Sequence, residues 1–331
     1  MSAETSRSEI TSWVVTDGKA GMESQCLGLA EALGLAPVVK RVVLRTPWRQ
    51  LTPHLRLAQR YAFASSGDRL EPPWPVLLIA TGRMSVAASL FVRAQSRTGG
   101  GKGTLTVQLQ NPVISPSHFD LVVTPRHDGL KGENVLATRG ALHRVNETVL
   151  KESAEKFLPQ IADLPRPYIV VLLGGSNTVY RLTAEDMAPL ARRLVAAAHA
   201  ASGSLLITPS RRTGADVLAA LKAELNGVAH YLWDEEGDNP YFGLLGLADF
   251  LIVTCDSVNM VSEASATGKP VYVAYLPGGS KKFRRFHAAL QSDGVTRPFE
   301  GTLAPYSYAP LDDIAMAAAR VRALLEQRGQ A

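Results

Sequence analysis

The sequence is poor in cysteine, in long apolar runs and in charge of a single sign, and each shortage excludes a class of protein. Its 331 residues hold two cysteines, Cys26 and Cys255, both inside apolar patterns. Two thiols so placed build no disulfide framework and point to a reducing compartment. They have no neighbouring histidine pattern, so no metal site is expected. No stretch of about 18 apolar residues occurs, so no helix that spans a bilayer is expected. The first dozen residues are polar and of mixed charge, with Glu4 and Glu9 among them. That fits neither a signal peptide nor a transit peptide. The chain therefore reads as cytoplasmic, with a peripheral place at the inner face of a membrane left open. The net charge of +5 is too small to imply nucleic acid binding, and no pattern of a nucleic-acid module is present, so no such partner is expected. The excess does suit an anionic ligand such as a nucleotide diphosphate, or an acidic membrane surface. Also missing is G-x-G-x-x-G, which disfavours an NAD-type site and with it an NAD-dependent epimerase.

What is present is ordinary globular composition, 46% hydrophobic and 20% charged, over a length that suits two domains. Residues 13–16 read as a buried strand. Met22, Cys26, Leu29, Ala30 and Leu33 then recur at helical spacing, and Gly34 ends that helix. Strands follow at 76–80, 105–109 and 121–124, with a helix at 83–94. This βαβ rhythm implies a parallel sheet covered on both faces. The glycine-rich stretch 96–103 reads as a surface loop, because Lys102 is followed by Gly103 where a phosphate loop needs Ser or Thr. After a short helix, Leu164-Pro165-Arg166-Pro167 suits an extended linker and a domain boundary. The rhythm then restarts, with strands at 168–173, 204–208, 250–254 and 271–275, helices at 183–200 and 215–225, and a last helix at 311–327. The expected fold is α/β: two Rossmann-like, doubly wound domains, 1–155 and 165–310, facing across a cleft. Ligands of such sheets bind at the carboxyl ends of the strands.

Several strand ends carry candidate chemistry. After strand 250–254 come Asp256 and Ser257, either of which can cap the next helix. The free N–H groups and dipole of that helix favour a phosphate, and Glu263, two turns on, can accept hydrogen bonds from ribose hydroxyls. After strand 168–173 come Gly174, Gly175 and Ser176, where bare backbone can approach a pyrophosphate and adopt positive φ. After strand 204–208 come Ser210, Arg211 and Arg212, a phosphate clamp or a solvated helix start. In the first half, Asp17, Gly18 and Gly21 follow the first strand, and Gly82 and Arg83 follow the second. His127 beside Asp128 is the candidate general base, with Asp128 orienting it or serving itself; a structural histidine is the alternative. Asn239 and Tyr241 open a helix whose aromatic residues either border a base pocket or make a core contact. Lys281, with Lys282, Arg284 and Arg285, suits phosphate or anionic lipid, or a solvated face anchored by Phe283 and Phe286.

Taken together, these segments resemble a known family. They include Thr16-Asp17-Gly18-Lys19-Ala20-Gly21, Ala80-Thr81-Gly82-Arg83, Thr138-Arg139-Gly140-Ala141-Leu142-His143 and Leu172-Leu173-Gly174-Gly175-Ser176. Further on come Thr208-Pro209-Ser210-Arg211-Arg212, Asn239-Pro240-Tyr241-Phe242-Gly243 and Asp256-Ser257-Val258-Asn259-Met260. The set is similar to the Elm mitochondrial-fission family and its bacterial relatives, over nearly the whole chain. The resemblance implies a GT-B-like glycosyltransferase fold, with the last helix, 311–331, returning to the first domain. It implies a nucleotide-sugar donor on the second domain, with Glu263 at the ribose and Ser257, Gly175, Ser176 and Arg211 at the diphosphate. The base would come from the first domain: His127, Asp128 or Asp17. The implied function is metal-independent transfer of a sugar from a nucleotide-diphosphate donor to a cell-envelope or lipid acceptor, with no cofactor besides the donor. The alternative is a non-catalytic adaptor at a membrane surface, as in the mitochondrial-fission relatives.

Overall fold

The computed structural model describes residues 10–98 and 102–330. The first nine residues, and 99–101 of the glycine-rich stretch, lie outside the described residues. In chain order the elements are β1 (Ser12–Thr16), α1 (Ala20–Ala32), β2 (Val38–Arg41), α2 (Trp48–Leu51), β3 (Leu77–Thr81), α3 (Gly82–Gln95), β4 (Leu105–Leu109), β5 (Leu121–Pro125), β6 (Val135–Thr138) and α4 (Glu147–Phe157). They continue with β7 (Tyr168–Leu173), α5 (Ala184–Ala201), β8 (Ser204–Pro209), α6 (Ala215–Glu224), β9 (His230–Leu232), α7 (Tyr241–Leu247), β10 (Phe250–Thr254), α8 (Val258–Ser265), β11 (Val271–Ala274), α9 (Lys281–Ser292), β12 (Thr296–Pro298) and α10 (Asp313–Gln327). The chain divides into two compact units, Met1–Arg144 with Asp312–Ala331, and Val145–Leu311.

In the first unit the strand order is β2-β1-β3-β4-β5-β6, with every pairing parallel. Alternate side chains sort to the two faces, as a pleated strand requires. Val14, Ile79, Val107 and Val123 pack with Cys26 and Leu29 of α1 and Val321 and Leu325 of α10. Trp13, Val15, Leu78 and Ala80 pack with Ala88 and Val92 of α3 on the other face. The last helix is fastened to this unit by Asp313, whose carboxylate accepts the N–H groups of Arg139 (3.1 Å) and Gly140 (2.8 Å).

The second unit has the order β12-β11-β10-β7-β8-β9, again parallel throughout. Ile169, Val171 and Leu173 face α5, while Val170 and Leu172 face α4, α7 and α8. The sequence reading placed the boundary at the prolines of 164–167, but α4 belongs to the second unit. Gly243 and Gly246 on α7 let it lie against α4: a Cβ at Gly246 would stand 2.5 Å from the carbonyl oxygen of Leu150. Only glycine permits so close a backbone approach.

Each sheet has one place where the strand order reverses, between β1 and β3 in the first unit and between β7 and β10 in the second. Loops leaving adjacent strands there run to opposite faces and part, which opens a crevice at the sheet edge.

Candidate functional site

At the reversal of the second sheet, the loops after β7, β8, β10 and β11 are bonded into one rim. Asp256 is its centre. Its side chain has no exposed surface and meets Arg212 Nη2 at 2.7 Å. It also accepts the Gly175 N–H at 3.1 Å and the Thr254 hydroxyl at 2.7 Å. The Thr254 hydroxyl oxygen takes the Gly174 N–H at 2.7 Å, and Asn177 Nδ2 donates to the Asp256 carbonyl at 3.1 Å. From the β8 side, the Thr213 hydroxyl donates to the Gly174 carbonyl. Cys255 and the β11 loop join through the Leu276 N–H, 3.2 Å from Sγ. His287 of α9 lies behind the rim, its Nε2 2.9 Å from the Cys255 carbonyl. That carbonyl can only accept, so Nε2 carries the proton. Burial holds the His287 pKa below the usual range.

Several sequence expectations change in this light. Gly174 and Gly175 were read as bare backbone at positive φ for a pyrophosphate. Neither has a left-handed φ. A Cβ at Gly174 would lie 2.1 Å from Asp256 Oδ1, and one at Gly175 2.1 Å from the Arg212 carbonyl oxygen. The glycines are there because the neighbouring loops pass through the space a side chain needs. Asp256 does not cap α8; Ser257 does, its hydroxyl accepting the Met260 N–H at 3.3 Å. Asp256 is a positioning residue that fastens Arg212. The hydroxyls of Ser176 and Ser210 serve their own loops, with Ser176 bonded to both backbone groups of Leu182 and Ser210 to the Arg212 N–H and Thr213. Arg211 is exposed and pairs with no carboxylate among the described residues. Thr213 and Thr254, which the sequence reading passed over, hold the rim together; the Ser-x-x-Thr spacing of Ser210 and Thr213 was the available signal.

Glu263 lies on α8 and receives the Tyr241 hydroxyl at 2.6 Å. Asn239, just ahead of α7, accepts the Tyr241 N–H at 2.9 Å in a local turn. These three sequence candidates therefore come together. Burial pushes the Glu263 carboxyl up to about 7, against the lowering effect of the Tyr241 hydrogen bond. Lys281 is exposed at the start of α9. That end is tied toward the β7 loop by the Arg181 N–H to the Pro277 carbonyl, 3.0 Å. Phe283 and Phe286 of α9 turn inward, Phe283 onto Tyr180 at 5.0 Å and Phe286 into the core at 1% exposure. The α9 basic face is thus charge over a buried aromatic anchor.

In the first unit, Gly18 has φ +81° and Gly82 φ +76°, both at the reversal between β1 and β3. A Cβ at Gly82 would meet Met22 Sδ at 2.9 Å. Asp17 pairs with Lys19 at 2.5 Å and keeps 15% of its side chain exposed; Gly21 and Arg83 are exposed. Close by, Glu23 accepts from Arg41 Nε and Nη2, at 2.9 and 2.8 Å, which holds its pKa low. His127 and Asp128 fold onto each other in a 3-10 turn, 3.8 Å apart, with side chains only 3% and 5% exposed. Thr124 donates to Asp128 at 2.9 Å. His143 is buried against α1, where Gly28 leaves room for its carbonyl.

Among the described residues no group of three or more His, Cys, Asp or Glu is placed to hold a metal ion, and no helix is long and apolar enough to cross a membrane.

Comparison with known proteins bears on the fold and the family. The chain is 32% identical over 286 residues to the mitochondrial fission protein ELM1 of Arabidopsis thaliana, which covers 78% of this chain and 66% of that protein. It thus spans just under two thirds of that protein's length. Among solved structures, an S. aureus MnaA–UDP co-structure superposes with a TM-score of 0.54 at 14% identity, covering 97% of this chain and 98% of the other. The UDP-GlcNAc 2-epimerase from Methanocaldococcus jannaschii superposes with a TM-score of 0.52 at 10% identity, covering 96% and 99%. At such identities the likeness concerns the fold alone, the two-unit α/β architecture of GT-B type. An epimerase shares that architecture, so the missing dinucleotide motif argues against an NAD-type site and not against every epimerase. The family described as Mitochondrial fission ELM1 matches residues 20–325, and the chain belongs to that family.

Proposed function

We propose that the second unit binds the diphosphate and ribose of a nucleotide sugar, and that the protein transfers the sugar to a cell-envelope or lipid acceptor. The observation that carries this reading is the bonded rim at the β7/β10 reversal, with the capped start of α8 and exposed Arg211, and with Glu263 further along α8 bonded to Tyr241. A helix start, with its dipole and the N–H groups its cap leaves over, and a guanidinium attract a pyrophosphate. A carboxylate two turns along accepts from ribose hydroxyls. That a UDP co-structure exists on this fold is consistent with the same ligand class.

In such a transfer the acceptor hydroxyl attacks the sugar carbon, the bond from that carbon to the diphosphate oxygen breaks, and the hydroxyl proton passes to a base. The leaving diphosphate gains charge, which the α8 start, Arg211 and Lys281 would stabilise. Gly174, Gly175, Ser176, Ser210 and Asp256 contribute by holding Arg212 and the rim. Among Asp17, His127 and Asp128, a base must reach the proton it takes, and Asp17 has the most accessible side chain. Gly18, Gly21, Gly82 and Arg83 would line the acceptor side, and Asn239 and Tyr241 the base side. Isothermal titration with UDP, GDP and ADP tests the reading. One should bind, and Arg211→Ala should weaken it about 10–100-fold, as losing a charge-assisted hydrogen bond does. Silence with all three nucleotides would remove the donor-site reading in favour of an adaptor.

A further inference from the structure

The first unit carries a surface that meets the proposed acceptor side only at Arg83. Between Glu31 and Asp68 the chain has no acidic residue and six cations, Lys40, Arg41, Arg45, Arg49, Arg56 and Arg60. Arg41 is committed to Glu23. Arg45, Arg49, Arg56 and Arg60 are exposed and form no ion pair with a carboxylate among the described residues. Large apolar side chains stand among them: Leu57 is 79% exposed, Tyr61 55% and Leu51 52%, joined by Val113 at 55% from the β4–β5 loop.

These residues form one surface. Leu51 and Val113 line a single cavity of about 380 Å³ with Pro53, Leu55 and Arg83. The Trp48 indole N–H donates to the Leu57 carbonyl at 3.0 Å, folding the segment back on itself. The Arg60 guanidinium lies 4.6 Å over the Tyr61 ring. The segment is fastened to the unit by the Arg45 N–H to the Ala62 carbonyl, 2.8 Å, and by the Thr52 hydroxyl to the Arg83 carbonyl, 3.4 Å. Its apolar tips are therefore held outward. Single exposed apolar residues need no explanation. A cluster of them among arginines that meet no carboxylate among the described residues, Arg56 bonding only His118 Nε2 at 2.5 Å, has the chemistry of a headgroup boundary: tips that enter the acyl edge, and guanidinium groups that meet phosphates.

We propose that this surface of the first unit docks on an anionic phospholipid bilayer. A second copy of the chain fits it poorly, because a symmetric contact would set these arginines against themselves. The α9 basic face lacks the apolar half of the device, since Phe283 and Phe286 point inward. The inference does not depend on the donor site.

Sedimentation of the full chain with vesicles of phosphatidylglycerol and phosphatidylcholine, against phosphatidylcholine alone, tests it. Binding should require the anionic lipid and fall with added salt, as the screening length shrinks from about 10 Å at 0.1 M. Arg49→Gln with Arg60→Gln should weaken it on the order of 20–30-fold, about fivefold per arginine. Leu57→Ser with Tyr61→Ser should also weaken it, while Arg284→Gln with Arg285→Gln, the same loss of charge on α9, should leave it nearly unchanged. Thermal midpoints equal to that of the unaltered chain show that the variants fold. Indifference to lipid charge would overturn the proposal. So would equal loss from the α9 pair, or self-association that disappears in Leu57→Ser with Tyr61→Ser while vesicles are ignored. Vesicle binding by a protein that takes up no nucleotide would support the docking surface and remove the donor-site reading.

Discussion

If Glu263 meets a ribose, nucleotide binding must be linked to a proton. Its carboxyl is pushed up to about 7 by burial, from an ordinary value of 4.5. The folded protein therefore holds this proton between those two values when the unfolded chain does not. Stability drawn from Glu263 is largest in acid and falls as the pH rises through that window. A carboxylate accepts two ribose hydroxyls better than a carboxylic acid does, so binding favours the ionised form. The ionised fraction of a group with this pKa is about 9% at pH 6 and about 91% at pH 8, which makes affinity about tenfold higher at pH 8. The diphosphate titrates as well, so the comparison is with Glu263→Gln, which keeps an oxygen for Tyr241 and cannot ionise. The difference between the two pH profiles belongs to Glu263 alone. Isothermal titration at pH 6, 7 and 8, in buffers of different ionisation heat, should show release of about half a proton at pH 7 that the variant lacks. Parallel profiles in the two proteins would refute the ribose contact.

Three further outcomes follow from the packing. Gly175→Ala sets a Cβ 2.1 Å from the Arg212 carbonyl oxygen and should cost about 1–3 kcal/mol in chemical denaturation, because backbone on both sides must move. Asp313→Ala strands the buried N–H groups of Arg139 and Gly140 and should cost about 2–4 kcal/mol, loosening α10 in hydrogen exchange before the second unit responds. Lys269 donates to the Leu245 carbonyl at 2.9 Å, and burial lowers its pKa from 10.5 to about 8. The cost of its buried charge is complete below pH 8 and relieved as the pH climbs toward 10.5. The unaltered chain should gain at most about 3 kcal/mol over that range in urea midpoints, a slope absent from Lys269→Met.

The central strands were legible because they are buried on both faces and so read as continuous apolar runs. β4, β7 and β10 fall on 105–109, 168–173 and 250–254 as expected. The four strands that sequence reading passed over, β2, β6, β9 and β12, are the outer strands of the two sheets. They are short and partly exposed, as in Val38-Val39-Lys40-Arg41, so no apolar run marks them. The helix ends were visible where a capping residue stands, as Thr183 before α5 and Ser280 before α9. The docking surface is not legible in the sequence because its arginines and leucines follow neither helical nor strand periodicity.

The sequence by itself determined the alternation of strands and helices, the parallel sheets and the family, because apolar periodicity, caps and long motifs are local. Which strand lies beside which, and therefore where Gly175, Arg212, Thr254 and Asp256 meet, was decided only by the tertiary structure. Those four come from the ends of three strands and the loops that leave them, up to 81 residues apart, and the chain order contains no statement of which loops will touch. Their roles reversed accordingly. The carboxylate that looked like a ligand is a buried fastener, because a charge removed from water is stable only when neighbouring loops supply its partners.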